Sequence, residues 1–303
     1  MATPQLDNRQ LGTDTARLNL LTNGGFEIWQ RGTSTSSSVV AAIQSFADMW
    51  QAGLIASGGN LAISRDSANA DGAGYCMSCV FTYSASNSMY IAQYVKEQIG
   101  LQLAGRTFSV SVRVKTSTAN AVRLGVNDNV NAYTYSPYHT GNGQYQTLTV
   151  TRTLPATGTQ IGVVIWADGG VGATFYIDNA MLVVGSVAAD YAPLHPADDL
   201  ARCLRYYELV NDFVFGTGQC SGAAAAQIPI RFYSKGGTPT VTSTGSFVVT
   251  AAGGGTVACT GVPAVTPAKN TAQINATVAS GLVAGNATLL QNNGGSFAVE
   301  FNP

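Results

Sequence analysis

The chain has 303 residues, enough for two domains with separate cores, and 46% of them are hydrophobic, so it reads as globular rather than disordered. Its 15 basic and 16 acidic residues make up 10% of the chain with a net charge of −1, against roughly 25% charged residues in ordinary proteins. With no Lys/Arg cluster, nucleic acid is excluded as an expected partner; the charge-free run 236–268 holds too much Gly, Thr and Pro to insert into a membrane.

Residues 1–18 are polar and aperiodic and read as an N-terminal arm suited to attachment. They lack the charged-then-apolar order of a signal peptide, so the expectation is a cytoplasmic product with reduced thiols. From 19 to 190 the chain alternates with period 2. In FSVSVRVKT (108–116), Phe108, Val110, Val112 and Val114 fall on one face and Ser109, Ser111, Arg113 and Lys115 on the other. TLTVTRTL, QIGVVIWA and TFYIDNAMLV follow, separated by Gly/Asn/Pro/Thr turns, which argues for a jelly-roll β-sandwich. Trp29, Trp50 and Trp166 sit in hydrophobic strand contexts and read as core.

Residues 191–211 break the pattern and read as a connecting α-helix. Pro196 stands near the first helical position, Asp198 and Asp199 in the first turn, and Arg202 and Arg205 later. Leu200, Cys203, Leu204 and Tyr207 make an apolar stripe at helical spacing. Residues 212–303 are β again, with IPIRFY, TVTSTGSFVVTA, AQINATVA and GSFAVEF as strands of a smaller β-sandwich. The expected fold is therefore all-β, with an N-terminal jelly roll, one connecting helix and a small C-terminal sandwich. Between 221 and 303 only Arg231, Lys235, Lys269 and Glu300 are charged, a scarcity that favours burial in a homo-oligomer.

The five cysteines are Cys76, Cys79, Cys203, Cys220 and Cys259. Cys76-x-x-Cys79 lacks the second close pair that a structural zinc needs, and on a strand its odd spacing points the two thiols to opposite faces, so they read as buried bystanders. No G-x-S-x-G, H-E-x-x-H, P-loop or dinucleotide fingerprint is present, so the chain is not expected to be an enzyme. A hydrolase of surface polysaccharide would need only two carboxylates at the right separation and stands as a further alternative.

NLLTNGGFE, Trp50 and the closing IDNAML resemble the jelly-roll carbohydrate-binding modules of families 4 and 9. The variant NGGFEIWQRGTS followed by FADMW, with the later LARCLRYYE, resembles virion proteins of bacteriophages and prophages. Asp48-Met49-Trp50 stands where those proteins often have Asp-Arg-Trp. The first resemblance implies that Glu27 and Asp178 help hold a structural calcium; the alternative is that they cap strand ends through backbone hydrogen bonds. Sugar-binding modules stack aromatic rings on pyranose faces, and the loop-like NAYTYSPYHTGNGQYQ (131–146) offers Tyr133, Tyr135, Tyr138 and Tyr145 as glycan contacts. A strand or subunit-contact role for these tyrosines is the competing reading.

The expected function is a phage virion structural protein, such as a tail or head fibre or other appendage. It would assemble in the host cytoplasm as a homo-oligomer, a trimer being one such form, beside other virion proteins, and contact host-surface polysaccharide. A capsid or collar decoration protein without a ligand, or a carbohydrate-binding module of a non-viral system, are the alternatives.

Overall fold

The structure is a computed structural model that describes residues 18–39, 44–72, 74–83, 88–96, 103–253 and 255–301. The N-terminal arm expected at 1–18 therefore lies, except for Leu18, outside the described residues. The chain divides into two compact units, Met1–His195 and Pro196–Pro303.

The strands of the first unit are β1 (Ser34–Ser37), β2 (Gln44–Ser45), β3 (Gln51–Leu54), β4 (Asn60–Asp66), β5 (Cys76–Thr82) and β6 (Met89–Val95). They continue with β7 (Thr107–Thr116), β8 (Val122–Asn127), β9 (Thr134–Tyr135), β10 (Tyr145–Thr153), β11 (Ile161–Ala167) and β12 (Ala173–Val184). They form two six-stranded antiparallel sheets. Sheet I runs β1-β4-β5-β12-β7-β10 and sheet II runs β2-β3-β6-β11-β8-β9. Inward side chains of both, among them Phe108, Val110, Val112 and Val114 of sheet I and Ile91, Leu124, Val163 and Ile165 of sheet II, share one core, which makes a jelly-roll sandwich.

The opening and closing segments of this unit lie side by side. Leu20 N–H donates to the Leu182 carbonyl at 2.9 Å, Ala180 N–H to Gly24 O at 2.8 Å, and the Asn19 side chain bonds both Ala180 O and Leu182 N. Residues 18–33 are nevertheless irregular rather than strand. The cause is Asn23, fully buried at φ 55°, whose side chain bonds the backbone of Ile28 and the carbonyl of Asp48 and folds the segment onto itself. Trp50, whose Nε1 donates to Asn23 O, packs on Phe26 at 4.8 Å. Trp29 and Trp50 are core; Trp166 is not, as shown below.

The second unit corrects the helix. It spans only Pro196–Leu204 (α1), and Tyr207–Val210, expected as its end, is a strand, β13. Tyr206 N–H closes a turn to Cys203 O, and Tyr207–Val210 then finds strand partners in Ser296–Glu300, a pairing 90 residues distant that local periodicity does not reveal. The remaining strands are β14 (Val214–Gly222), β15 (Ala225–Arg231), β16 (Thr240–Thr244), β17 (Phe247–Ala251) and β18 (Thr256–Gly261). After them come β19 (Ala264–Ala268), β20 (Thr271–Val278), β21 (Ala287–Asn292) and β22 (Ser296–Glu300). A three-stranded sheet, β13-β22-β16, shares one core with a seven-stranded sheet, β15-β14-β21-β17-β18-β20-β19. An extra β15–β20 pairing closes the larger sheet on itself. Phe215, Phe247 and Phe297 meet at its centre with centroids 4.8–5.4 Å apart.

None of the five cysteines is in a disulfide; Cys79 faces the core, while Cys76 lies on the opposite face of β5, as their spacing implied. Among the described residues, no helix is long and apolar enough to cross a membrane.

Candidate functional site

The outer face of sheet II carries a continuous aromatic surface. Strand register sets Trp166 (β11) between Tyr90 (β6) and Arg123 (β8), Gly162 between Tyr94 and Asn127, and Gly125 beside Tyr135. Alternation turns these residues outward while Ile91, Leu124 and Ile165 enter the core. The glycines let the rings lie against the backbone. A Cβ on Gly125 would stand 3.0 Å from both Trp166 Cδ1 and the Tyr135 ring, and Cβ atoms on Gly53 and Gly162 would stand under 3.0 Å from the Tyr90 and Tyr94 rings.

The rings are in mutual contact. Tyr90 and Trp166 centroids lie 5.5 Å apart, Trp166 and Tyr133 meet edge-on at 5.8 Å, and Tyr133 and Tyr135 lie near-parallel at 5.6 Å. Arg123 lies over Tyr135 at 3.7 Å and Tyr138 at 4.8 Å. Its guanidinium grips Asp168 (Nη2–Oδ2 2.5 Å), and the Tyr138 hydroxyl donates to the same carboxylate at 3.1 Å. The charges on this patch therefore cancel. Burial raises the Tyr90, Tyr133 and Tyr138 phenols above their ordinary range and pushes Tyr94 up to about 12, so all remain neutral hydrogen-bonding groups at physiological pH.

Two anchors place the segment that carries the tyrosines. Arg152 reaches from β10 of sheet I to Asp128 (2.6 Å) and donates through Nη1 to Val126 O, Ala132 O and Thr134 Oγ1. Farther on, Leu124 N–H donates to Ser136 Oγ and His139 N–H to Val122 O, laying residues 136–139 along β8. The buried His139 ring accepts Gly141 N–H at Nδ1 and contacts Gln144 O at 3.2 Å through Nε2.

Of the four tyrosines expected to act together, Tyr133, Tyr135 and Tyr138 share this face, whereas Tyr145 belongs to sheet I. The Tyr145 hydroxyl donates to Asn69 O at 2.7 Å, and its ring lies under Arg113, so it braces the turn that follows β4 at Asn69. The stretch 131–146 is not one loop: it includes β9 and the start of β10, which send neighbouring tyrosines to different sheets. Trp166, expected in the core, is only half-buried and sits at the centre of the aromatic face. Sequence reasoning passed over Tyr90, Tyr94 and Arg123. The signal was available in the two-residue spacing of Tyr90, Ala92 and Tyr94, but β6 is apolar on both faces and its outward side is hidden.

Glu27 reaches the backbone of Tyr75, and Asp178 that of Asp71. Glu27 Oε1 accepts Tyr75 N–H at 2.9 Å; Asp178 accepts Asp71 N–H and Asn179 N–H, each at 2.8 Å. Asp71 is held by Arg113 at 2.5 Å. Among the described residues no three His, Cys, Asp or Glu side chains stand together as a metal-ligand set. The oxygens of Glu27 and Asp178 serve backbone donors, the arrangement that the strand-capping alternative describes.

Their crowding has a consequence for pH. Burial, together with the charges of Asp71 and Glu27, raises the Asp178 carboxyl to about 6 from 3.8. Between those values the folded state keeps a proton that the unfolded chain has released, so stability from this group is lost as pH rises towards about 6, by about 2–3 kcal/mol. Asp128 acts oppositely. Burial disfavours its charge, but the Asn131 and Val130 N–H groups and Arg152 outweigh that and hold it at about 2, so its contribution is lost as pH falls from about 4. All three tryptophans lie in the first unit, so their fluorescence reports its unfolding. The urea midpoint is expected to peak near about pH 4–5 and decline towards neutrality; a midpoint rising steadily to about pH 7.5 would contradict these assignments.

No protein-family model and no curated protein matches the chain. Among solved structures, the carbohydrate-binding module TmCBM61 in complex with β-1,4-galactotriose is 17% identical with a TM-score of 0.36, covering 55% of this chain and 99% of that one. The CBM22-1 xylan-binding domain of Paenibacillus barcinonensis Xyn10C is 11% identical with a TM-score of 0.37, covering 58% and 100%. The enzymatically active domain of bacteriophage CBA120 tailspike protein 4 is also 11% identical with a TM-score of 0.37, covering 55% and 21%. At these values the likenesses carry no functional argument.

Proposed function

We propose that the first unit is a glycan-contact module whose binding surface is the outer face of sheet II. The observation that carries this reading is a run of touching aromatic rings, Tyr90–Trp166–Tyr133–Tyr135, bordered by Arg123, Asp168 and Asn127. Sugar rings present C–H faces to aromatic rings and hydroxyls to flanking polar groups, and this face supplies both. Because Asp168 cancels Arg123, the favoured ligand is a neutral saccharide, bound with a Kd of roughly 10 μM to 1 mM. The role is binding rather than turnover: among the described residues, the carboxylate that borders the ring run, Asp168, is engaged by Arg123 and Tyr138 in holding the platform together.

The chain as a whole is proposed to act as an oligomeric appendage of a phage particle. The scarcity of surface charge in the second unit supports self-association, because one of its few cations, Lys235, is buried against Glu208.

A glycan array followed by calorimetric titration tests the binding reading. Wild type is expected to bind a neutral oligosaccharide saturably, and Tyr135→Ala/Tyr138→Ala to lose at least about tenfold in affinity. An array without neutral-glycan binding, or full affinity in the variant, would sink it.

A further inference from the structure

Trp166 Nε1 is buried, yet it is the one buried side-chain nitrogen or oxygen among the described residues with no hydrogen-bond partner. Native proteins rarely leave such a donor unmatched, since the omission costs about 1–3 kcal/mol. The indole is otherwise well placed. Tyr90 packs beside it, and its pyrrole edge rests over Gly125, next to the Tyr135 ring. Tyr133 meets it edge-on.

Tyr133 differs from the other rings of the face. It precedes the two-residue strand β9 and lies outside any strand, whereas Tyr90, Tyr94 and Trp166 project from longer strands. Its phenol lies near the Asn127 and Tyr94 side chains, polar groups that water or a hydroxylated ligand can also engage. The residues on either side are held by Arg152, through the Ala132 carbonyl and the Thr134 side-chain hydroxyl, so the Tyr133 side chain can turn without unfolding its segment.

We propose that Trp166 is the specificity-determining contact of this face, covered by Tyr133 in the free protein. An arriving oligosaccharide turns the Tyr133 ring aside, stacks one sugar on the indole face, and accepts the in-plane Nε1–H bond through a hydroxyl of the neighbouring sugar residue. The unmatched donor is then satisfied only in the complex, which selects ligands with an acceptor at that position over ones that merely stack. The proposal rests on the glycan reading and adds the residue that discriminates among saccharides.

The experiment is a fluorescence and calorimetric titration with maltohexaose, cellohexaose and xylohexaose, using wild type, Trp166→Phe and Tyr133→Ala. Trp29 and Trp50 are core residues, so ligand-dependent quenching reports Trp166. Trp166→Phe keeps an aromatic ring without the N–H and is expected to bind about tenfold more weakly while its urea midpoint changes little. Tyr133→Ala is expected to raise acrylamide quenching of the free protein, with saturating ligand restoring protection. Equal affinity of Trp166→Phe and wild type overturns the inference while leaving the glycan face intact. So does unchanged quenching in Tyr133→Ala, which would mean that Tyr133 does not cover the indole. If wild type binds none of the three sugars and the array is also blank, the glycan reading itself falls.

Discussion

Replacing Arg152 with methionine is expected to destabilise the first unit by about 3–5 kcal/mol and to weaken saccharide binding at the same time. The Asp128 side chain is fully buried and that of Arg152 is 9% exposed, so the pair is shielded from water. Methionine preserves the apolar stem but strands a carboxylate that the Asn131 and Val130 N–H groups satisfy only in part. It also frees the carbonyls of Val126 and Ala132 and the Thr134 hydroxyl, which Arg152 gathers across from the opposite sheet. These three groups flank Tyr133 and Tyr135, so the loss of stability and the loss of platform geometry have one origin. Urea unfolding followed by tryptophan fluorescence measures the first effect, and titration measures the second. Adding Asp128→Asn should recover part of the stability, because the stranded charge is gone, without restoring affinity. A single-variant loss below about 1 kcal/mol would show that the pair is not structurally important.

The second large effect is expected at Glu208→Gln in the other unit. The Lys235 side chain has no exposed surface, and its ammonium donates to Glu208 Oε2 and to Leu204 O, each at 2.7 Å. Leu204 is the last residue of α1, so the lysine closes the helix end, while Glu208 also accepts Tyr233 N–H at 2.6 Å. Burial lowers the Lys235 pKa, and Glu208 opposes that shift. Removing the carboxylate charge leaves the lysine to stay charged without a counter-ion or to shed its proton, a cost of about 3–5 kcal/mol. Hydrogen exchange at Tyr207–Val210 and Ser296–Glu300, the strands that β13 and β22 contribute, should accelerate at least about 100-fold. Unchanged protection there would show that the buried pair does not support this sheet.

How much of this was legible from the sequence depends on the distance over which each feature is decided. The alternation at Phe108–Thr116 is visible because one face meets the core. Even there, Ser109 and Ser111 look exposed in sequence yet are buried, their hydroxyls donating to the carbonyls of Gly185 and Ala189. The opening and closing segments of the first unit are joined by backbone bonds between Leu20 and Leu182 and between Gly24 and Ala180, a long-range pairing that local alternation does not reveal. The helix end was not legible, since β13 is stabilised by β22 some 90 residues later. Nor was the ring closure through β15 and β20. In the candidate site, Tyr133, Tyr135 and Tyr138 stood out as an aromatic-rich segment. Trp166 was hidden because QIGVVIWA is apolar on both faces, and only the neighbouring strands show which side lies outward.

The central claim is that the aromatic face of sheet II is where this protein meets its ligand. Backbone chemical shifts recorded during titration with the tightest binder among maltohexaose, cellohexaose and xylohexaose test it most directly. The account predicts perturbations clustered at Tyr90, Tyr94, Arg123, Tyr133, Tyr135, Tyr138 and Trp166. Perturbations centred instead on Arg113, Tyr145 and Tyr191, or confined to residues 196–303, would contradict it.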